Sequence, residues 1–237
     1  MTGLQFIITE DGSHTLFRAD LDETYHSKHV AVQESQHVFI NNGLRYWLET
    51  AATKAAVITE TDGLIANADQ QPQVTIFEVG FGTGLNAWLT HQLATEQNLQ
   101  VRYFSVEAFP LQREVWTQLN YAPDDMAFKA LHEAPWNTSV PIDDHFTLNK
   151  LEGKLEELSL SEAMDIVYFD AFAPAKQPEL WTYSVLEKAC NALDTNGVFV
   201  TYCAKGQLKR DLRSLGLRVE TLPGPPGKKE MVRAVRL

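Results

Sequence analysis

Three acids at the ends of apolar runs, and one loop of alternating glycines, are the residues whose types and spacing could do chemistry here. The loop is Gly80-Phe81-Gly82-Thr83-Gly84, entered from Thr75-Ile76-Phe77-Glu78-Val79 and left through Leu85-Asn86. Glycine at 80, 82 and 84 lets the backbone turn sharply and brings it close to a ligand, where any Cβ would collide. Glu107 ends the next apolar run, Val101 to Val106, and lies 23 residues beyond Gly84. An acid about 20 residues after such a loop can accept hydrogen bonds from a ribose diol. Asp170 ends a third run, Met164 to Phe169, and opens the loop Asp170-Ala171-Phe172-Ala173-Pro174-Ala175-Lys176.

These residues predict a nucleoside-bearing ligand at the carboxyl ends of neighbouring strands. The dinucleotide fingerprint is G-x-G-x-x-G, with pyrophosphate on the helix N-terminus. Here the glycines run G-x-G-x-G, and Leu85 stands where the third would fall. That favours S-adenosyl-L-methionine over NAD. The elements that must hold these residues follow from periodicity. Strands are predicted at 75–79, 101–106, 145–151, 164–169 and 198–202, with helices over Leu85–Leu93, Pro110–Leu119, Trp181–Leu193 and Gln207–Leu215. Asn196-Gly197 reads as a turn, and Leu217–Leu222 and Met231–Leu237 as a closing antiparallel pair around a Pro/Gly-rich loop at 223–230. The alternation gives a doubly wound α/β sheet of about seven strands.

The N-terminal residues read differently. Leu4–Thr9 and Thr15–Arg18 flank Asp11-Gly12, a hairpin signal, and Val38-Phe39-Ile40 before Asn41-Asn42-Gly43 suggests a further strand and turn. The expectation is a small β-rich N-terminal extension over residues 1–50 and a catalytic domain over 51–237, with a helix over Leu44–Val57. His26, His29 and His37 show no metal-ligand spacing and are read as surface and turn residues. Residues 121–141, with prolines at 123, 135 and 141, read as an irregular insertion near the ligand mouth.

Composition narrows the class. The chain of 237 residues is 44% hydrophobic, enough for one large α/β domain. It shows no cleavable apolar leader and no apolar run near the ~18 residues that span a bilayer. Cys190 and Cys203 lack metal or redox spacing and read as thiols, so a cytoplasmic protein without membrane attachment is expected. The formal net charge of -11 argues against phosphate binding, but residues 201–237 hold nine Lys or Arg against three acids, a local balance of +6. One basic face on an acidic body is one reading, and an ordinary solvated charged surface is the other.

Four stretches together resemble one family: Glu78 to Asn86, Val106 to Leu111, Asp170 to Trp181 and Gly227-Lys228-Lys229-Glu230-Met231. The likeness extends to Tyr25-His26-Ser27 and His37-Val38-Phe39-Ile40. It is similar to the methyltransferase half of the bifunctional tRNA wobble-uridine enzyme MnmC, also found as free-standing MnmC-like (MnmD) proteins. The resemblance implies a Rossmann-like class I methyltransferase fold, S-adenosyl-L-methionine as cofactor and tRNA as partner. The implied reaction is methylation of the primary amine of 5-aminomethyl-(2-thio)uridine. Carried onto this sequence, Asp170 is the catalytic residue. The cofactor contacts are Glu78, Gly80, Gly82, Thr83, Gly84, Asn86, Glu107, Ala108 and Asp170. The substrate contacts are Phe172, Pro174, Lys176, Lys228 and Lys229, and no metal is implied.

Two departures stand out. The FAD-dependent domain of the bifunctional members is not expected with this sequence, so the aminomethyl group is expected from a separate oxidase or aminomethyl-forming enzyme. Lys154 occupies the position of an acid expected after the third strand, leaving the adenine contact to Glu152, to backbone groups or to the 121–141 insertion. An alkylammonium titrates near ~10 and an exposed aspartate near ~4, so Asp170 is expected to aim the amine lone pair by accepting a hydrogen bond rather than to act as a full base. Two rivals remain: a methyltransferase for a small-molecule amine or carboxylate, and a non-catalytic nucleotide-binding module.

Overall fold

The computed structural model describes residues 4–10, 12–25, 31–51, 71–160 and 162–237. Asp11, His26, His29 and the 52–57 end of the expected helix lie outside the described residues.

An antiparallel sheet of three strands, β1 (Leu4–Ile8), β2 (His14–Arg18) and β3 (Glu23–Thr24), opens the chain. The main sheet has eight strands: β4 (Gln73–Val79), β5 (Gln100–Glu107), β6 (Ser139–Pro141), β7 (Phe146–Glu152), β8 (Met164–Phe169), β9 (Leu193–Thr201), β10 (Leu217–Pro223) and β11 (Glu230–Arg236). Their order is β10-β11-β9-β8-β4-β5-β7-β6, parallel from β9 to β7 and antiparallel at both edges. The eighth strand, β6, is the short edge strand within the 121–141 stretch. β4 leads to β5 on one side and pairs with β8 on the other, so the sheet reverses direction of growth there and leaves a crevice beyond the carboxyl ends.

Alternation along the central strands explains the two layers. Ile76, Ile166, Tyr168, Val198 and Val200 face one core, while Phe77, Val167, Phe169 and Phe199 face the other. The first core is covered by α2 (Leu85–Glu96) and by a long N-terminal helix, α1 (Ala31–Ser35, continued by Gln36–Arg45). The second is covered by α5 (Tyr183–Asn191) and α6 (Gly206–Ser214); the shorter α3 (Arg113–Trp116) and α4 (Met126–Glu133) lie between β5 and β6 in sequence.

α1 corrects an expectation. Val38-Phe39-Ile40 is helical, not a strand: α1 begins at Ala31–Ser35, widens to π geometry over Gln36–Arg45 and continues through 46–51. Gly43 serves packing instead of a turn, since a Cβ there would lie 3.0 Å from the Tyr168 ring and 3.2 Å from Val200. The Asn42 side chain donates to the His37 carbonyl (2.8 Å), so the asparagines also have a helical use. The helix thereby buries Val38, Phe39, Ile40 and Leu44 on the sheet.

Two smaller differences have local causes. Asn196-Gly197 lies inside β9 as an irregularity with Asn196 at φ 65°, opposite a register shift between Met164 and Ile166. Pro110–Leu119 holds only the short α3. Residues 121–141 supply α4, capped by Asp125 accepting from Ala127 N (2.8 Å) and Phe128 N (3.0 Å). That stretch packs behind the glycine-rich loop; it does not line the mouth of the cavity.

Candidate active site

A cavity of about 360 Å³ opens at the carboxyl ends of β4, β5 and β8. Its floor is Gly80-Phe81-Gly82 with Leu85 and Asn86. One wall is Val106 to Phe109 with Gly153 to Glu156, and the other is Asp170 to Phe172 with Gln177, Glu179 and Leu180. Arg18 and Tyr25 of the N-terminal sheet form the roof.

Of the residues singled out in the sequence, Gly80, Gly82, Asn86, Glu107, Ala108, Asp170 and Phe172 border this cavity. Glu78, Thr83, Gly84, Pro174, Lys176, Lys228 and Lys229 do not. Glu78 is 1% exposed and sits one layer behind, accepting from Asn86 Nδ2 (3.0 Å) and Ser105 Oγ (2.7 Å). Lys176 pairs with Asp22 at the surface (3.0 Å). Lys228 pairs with Glu34 of α1 and lies 3.6 Å above the Tyr202 ring, while Lys229 is exposed.

The glycines act mainly by conformation. Gly80 (φ 94°) and Gly82 (φ 52°) take left-handed backbone, and a Cβ on Gly80 would stand 2.8 Å from the Asp170 carbonyl. The amides of Gly80, Gly82 and Gly84 are already spent inside the protein, on Val106 O (2.9 Å), Glu107 Oε2 (3.0 Å) and Phe81 O (2.8 Å). Close approach of the chain, not amide donation from the glycines, is what the motif provides. Glu107 accepts from Gly82 N with one oxygen and from Phe109 N (2.8 Å) with the other. A carboxylate has about four lone-pair sites, so capacity remains for a diol.

Asn86 ties the two acids together. Its Nδ2 donates to Glu78 Oε1 and to Asp170 Oδ2 (2.8 Å), one N–H to each. Burial, above all, pushes the Asp170 carboxyl up to about 7; the Glu34 charge adds to this, while the Asn86 bond and Lys228 oppose it. Burial likewise pushes Glu78 up to about 8 against its bond from Ser105, with the Asp170 charge adding. Glu107 is raised by burial, opposed by its two backbone donors. Asp170 is therefore closer to a proton acceptor at neutral pH than an exposed aspartate.

The loop after Asp170 is stapled to itself. Trp181 Nε1 donates to Phe172 O (2.7 Å), Phe172 N donates to Gln177 Oε1 (3.3 Å), and Tyr202 OH donates to Ala171 O (2.8 Å). Sequence reasoning did not pick out Arg18 or Glu156, and it held Phe109 and Gln177 only within the stretches of family likeness, with no role given to either. The Arg18 guanidinium, paired with Asp20 (2.5 Å), lies 4.9 Å from the Phe109 ring and 5.7 Å from the Phe172 ring, bridging the two walls. Tyr25 meets Phe172 edge-on at 5.0 Å. Lys154, flagged as a departure, does line the cavity beside Leu155 and Glu156, whereas Glu152 and the 121–141 stretch do not. Among the described residues no cluster of His, Cys, Asp or Glu could hold a metal ion, and no helix is long and apolar enough to cross a membrane.

A reversed parallel sheet with a glycine turn after the first strand and acids at the tips of its neighbours defines a class I methyltransferase fold. Residues 137–237 match a family of S-adenosyl-L-methionine-dependent methyltransferases. The chain is similar, 30% identical over 233 residues, to the tRNA 5-methylaminomethyl-2-thiouridine biosynthesis bifunctional protein MnmC of Idiomarina loihiensis, with 89% of this chain and 35% of that protein covered. The MnmC protein of Leptospira borgpetersenii is 28% identical over 225 residues, covering 89% of this chain and 32% of that protein. The crystal structure of MnmC2 from Aquifex aeolicus superposes with a TM-score of 0.75 at 24% identity, over 99% of this chain and 70% of that one. The chain is thus related to MnmC in its methyltransferase part, and spans about a third of the length of the curated relatives it matches.

Proposed function

We propose that this chain transfers a methyl group from S-adenosylmethionine to the primary amine of 5-aminomethyl-(2-thio)uridine at the tRNA wobble position, giving the methylaminomethyl base. The observation that carries the reading is the single cavity bordered by Gly80, Gly82, Glu107 and Asp170. The family match and the names of the relatives support the cofactor and the class of acceptor.

The residues present fit such a cofactor. Gly80, with no Cβ, lets the loop close against the Asp170 carbonyl at the cavity floor, Glu107 has spare acceptor capacity for a ribose, and Ala108, Phe109 and Leu155 offer apolar surface to a purine. The cofactor supplies an electrophilic methyl on a sulfonium. Alignment provides most of the rate in such a displacement, and the protein needs no covalent intermediate. Asp170, fixed by Asn86, accepts a hydrogen bond from the amine and aims its lone pair. Raised to about 7, it also takes a proton more readily than an exposed aspartate and passes it to water. Phe172 and Tyr25 offer ring faces and edges to the uracil.

For tRNA contact we propose the exposed cations Lys205, Arg210, Arg213 and Lys229. Lys209 is committed to Glu230 (3.1 Å) and Lys228 to Glu34, which takes up two of the cations in the basic 201–237 stretch within the protein. Reversing Arg210 and Arg213 to Glu should weaken tRNA binding and flatten its logarithmic salt dependence by about 1.4 to 1.8, two phosphate contacts' worth. An unchanged slope removes α6 from the interface. The acceptor itself is tested by mass spectrometry of wobble nucleosides after incubation with the cofactor and tRNA lacking this methyl group. Gain of one methyl on 5-aminomethyl-(2-thio)uridine supports the reading; methylation of small amines alone would replace it.

A further inference from the structure

We propose that Lys150 is a positioning residue for cofactor binding, acting from behind the cavity through Phe81 and His132 on the glycine-rich loop. The proposal rests on the cofactor reading above.

Lys150 lies on β7 and is 1% exposed. Its Nζ donates to the His132 carbonyl (2.8 Å) and sits 4.7 Å from the Trp136 ring and 5.2 Å from the Phe81 ring. Among the described residues it has no carboxylate partner, a rare state for a buried lysine. Burial lowers its pKa to about 8, so the ammonium persists at neutral pH, held by one carbonyl and two ring faces. A leucine or methionine would fill the same space without the cost of desolvating a charge. What the lysine adds is direction: it fixes the Phe81 ring and the end of α4 relative to one another.

Both are joined to the loop. Phe81 stands between Gly80 and Gly82, is 4% exposed and borders the cavity. His132 Nε2 is 3.1 Å from the Thr83 carbonyl. Because burial drops His132 to about 3, the ring is neutral, and a carbonyl can only accept, so the proton lies on Nε2. The imidazole stacks on Trp116 at 4.8 Å and meets the Phe81 ring edge at 5.5 Å. A Cβ on Gly84 would lie 2.9 Å from His132 Nε2 and 3.2 Å from Phe81, so the loop is pressed against this support with no slack. A shift of Phe81 would carry Gly82 with it, and with Gly82 its bond to Glu107.

The test is Lys150→Met, which keeps length and removes charge. Calorimetry on the whole chain should show the S-adenosylmethionine Kd raised roughly tenfold, a part of the roughly thirtyfold that a desolvated cation–π contact is worth. The KM for cofactor should rise in step, with kcat at saturating cofactor unchanged within about twofold. A merely space-filling lysine would leave both untouched, and an unchanged Kd overturns the proposal. If the variant fails to unfold cooperatively, Trp136→Leu decides in its place: a Kd raised about threefold supports the cation–π support, and no change overturns it. A wild-type chain that binds no S-adenosylmethionine defeats the cofactor reading as well; equal binding by wild type and variant defeats this proposal only.

Discussion

The sides of the cavity proposed for the cofactor and for the acceptor are built in different ways. Glu78 to Asn86 and Glu107 to Phe109 come from two consecutive strand tips, and their mutual bonds are mostly backbone to backbone or backbone to carboxylate. The acceptor side gathers Arg18 and Tyr25 from the N-terminal sheet, Asp170 to Gln177 from β8 and its loop, and, one layer out, Glu34 from α1 and Lys228 from the β10–β11 loop. A shared nucleoside cofactor can be held by one local motif. An acceptor group needs charge and aromatic surface drawn from across the chain.

The largest expected effect lies where the sides meet. Asp170 touches the cavity, takes the Asn86 bond and feels Glu34 and Lys228. Asp170→Ala should lower kcat by on the order of 10²-fold, the range of a lost acid–base or orienting group. Single-turnover methylation of aminomethyl-uridine tRNA measures it; a normal rate would remove Asp170 from the mechanism and leave the acceptor side without a centre.

That division also decides what could be read from sequence. The glycine loop, Glu107 and Asp170 were legible because each sits at the end of a strand whose alternation is strong, and spacing along one βαβ unit carries the geometry. Arg18 was not, since nothing in His14–Arg18 marks which side chain reaches over Phe109, a contact 91 residues away along the chain. Tyr25 entered only through the family likeness. α1 was misread because Asn-Asn-Gly is a turn signal locally, and only the approach of Tyr168 and Val200 shows why glycine stands at 43. The same tertiary cause hid the setting of Lys228: the family likeness made it a substrate contact, but a buried carboxylate on α1 pairs with it.

A middle-sized effect isolates the cofactor side. Glu107→Gln keeps an oxygen for one of the two backbone donors, Gly82 N or Phe109 N, and loses both the other acceptor and the charge; a hydrogen bond to a charged group is worth ~1.5–3 kcal/mol. The S-adenosylmethionine Kd should rise about tenfold to a hundredfold, with kcat at saturating cofactor preserved. If kcat collapses instead and the Kd holds, Glu107 belongs to the chemistry, and the two sides are not separable.

The smallest effect probes the acceptor side through its charges. With Asp170 raised to about 7 and required as a carboxylate, kcat/KM should climb with pH through that value, since this ratio reports the free enzyme. Lys228 lowers the Asp170 pKa and Glu34 raises it. Lys228→Met should therefore move the acid limb to higher pH and cost a few-fold in kcat/KM at pH 7, where a larger share of Asp170 is then protonated. Adding Glu34→Gln removes the charge that raises Asp170, so the limb should return toward its wild-type position. A limb that stays fixed in both variants would mean that Asp170 acts by shape alone. The distant segments would then contribute packing to the acceptor side, and its contrast with the cofactor side would be one of contacts instead of charge.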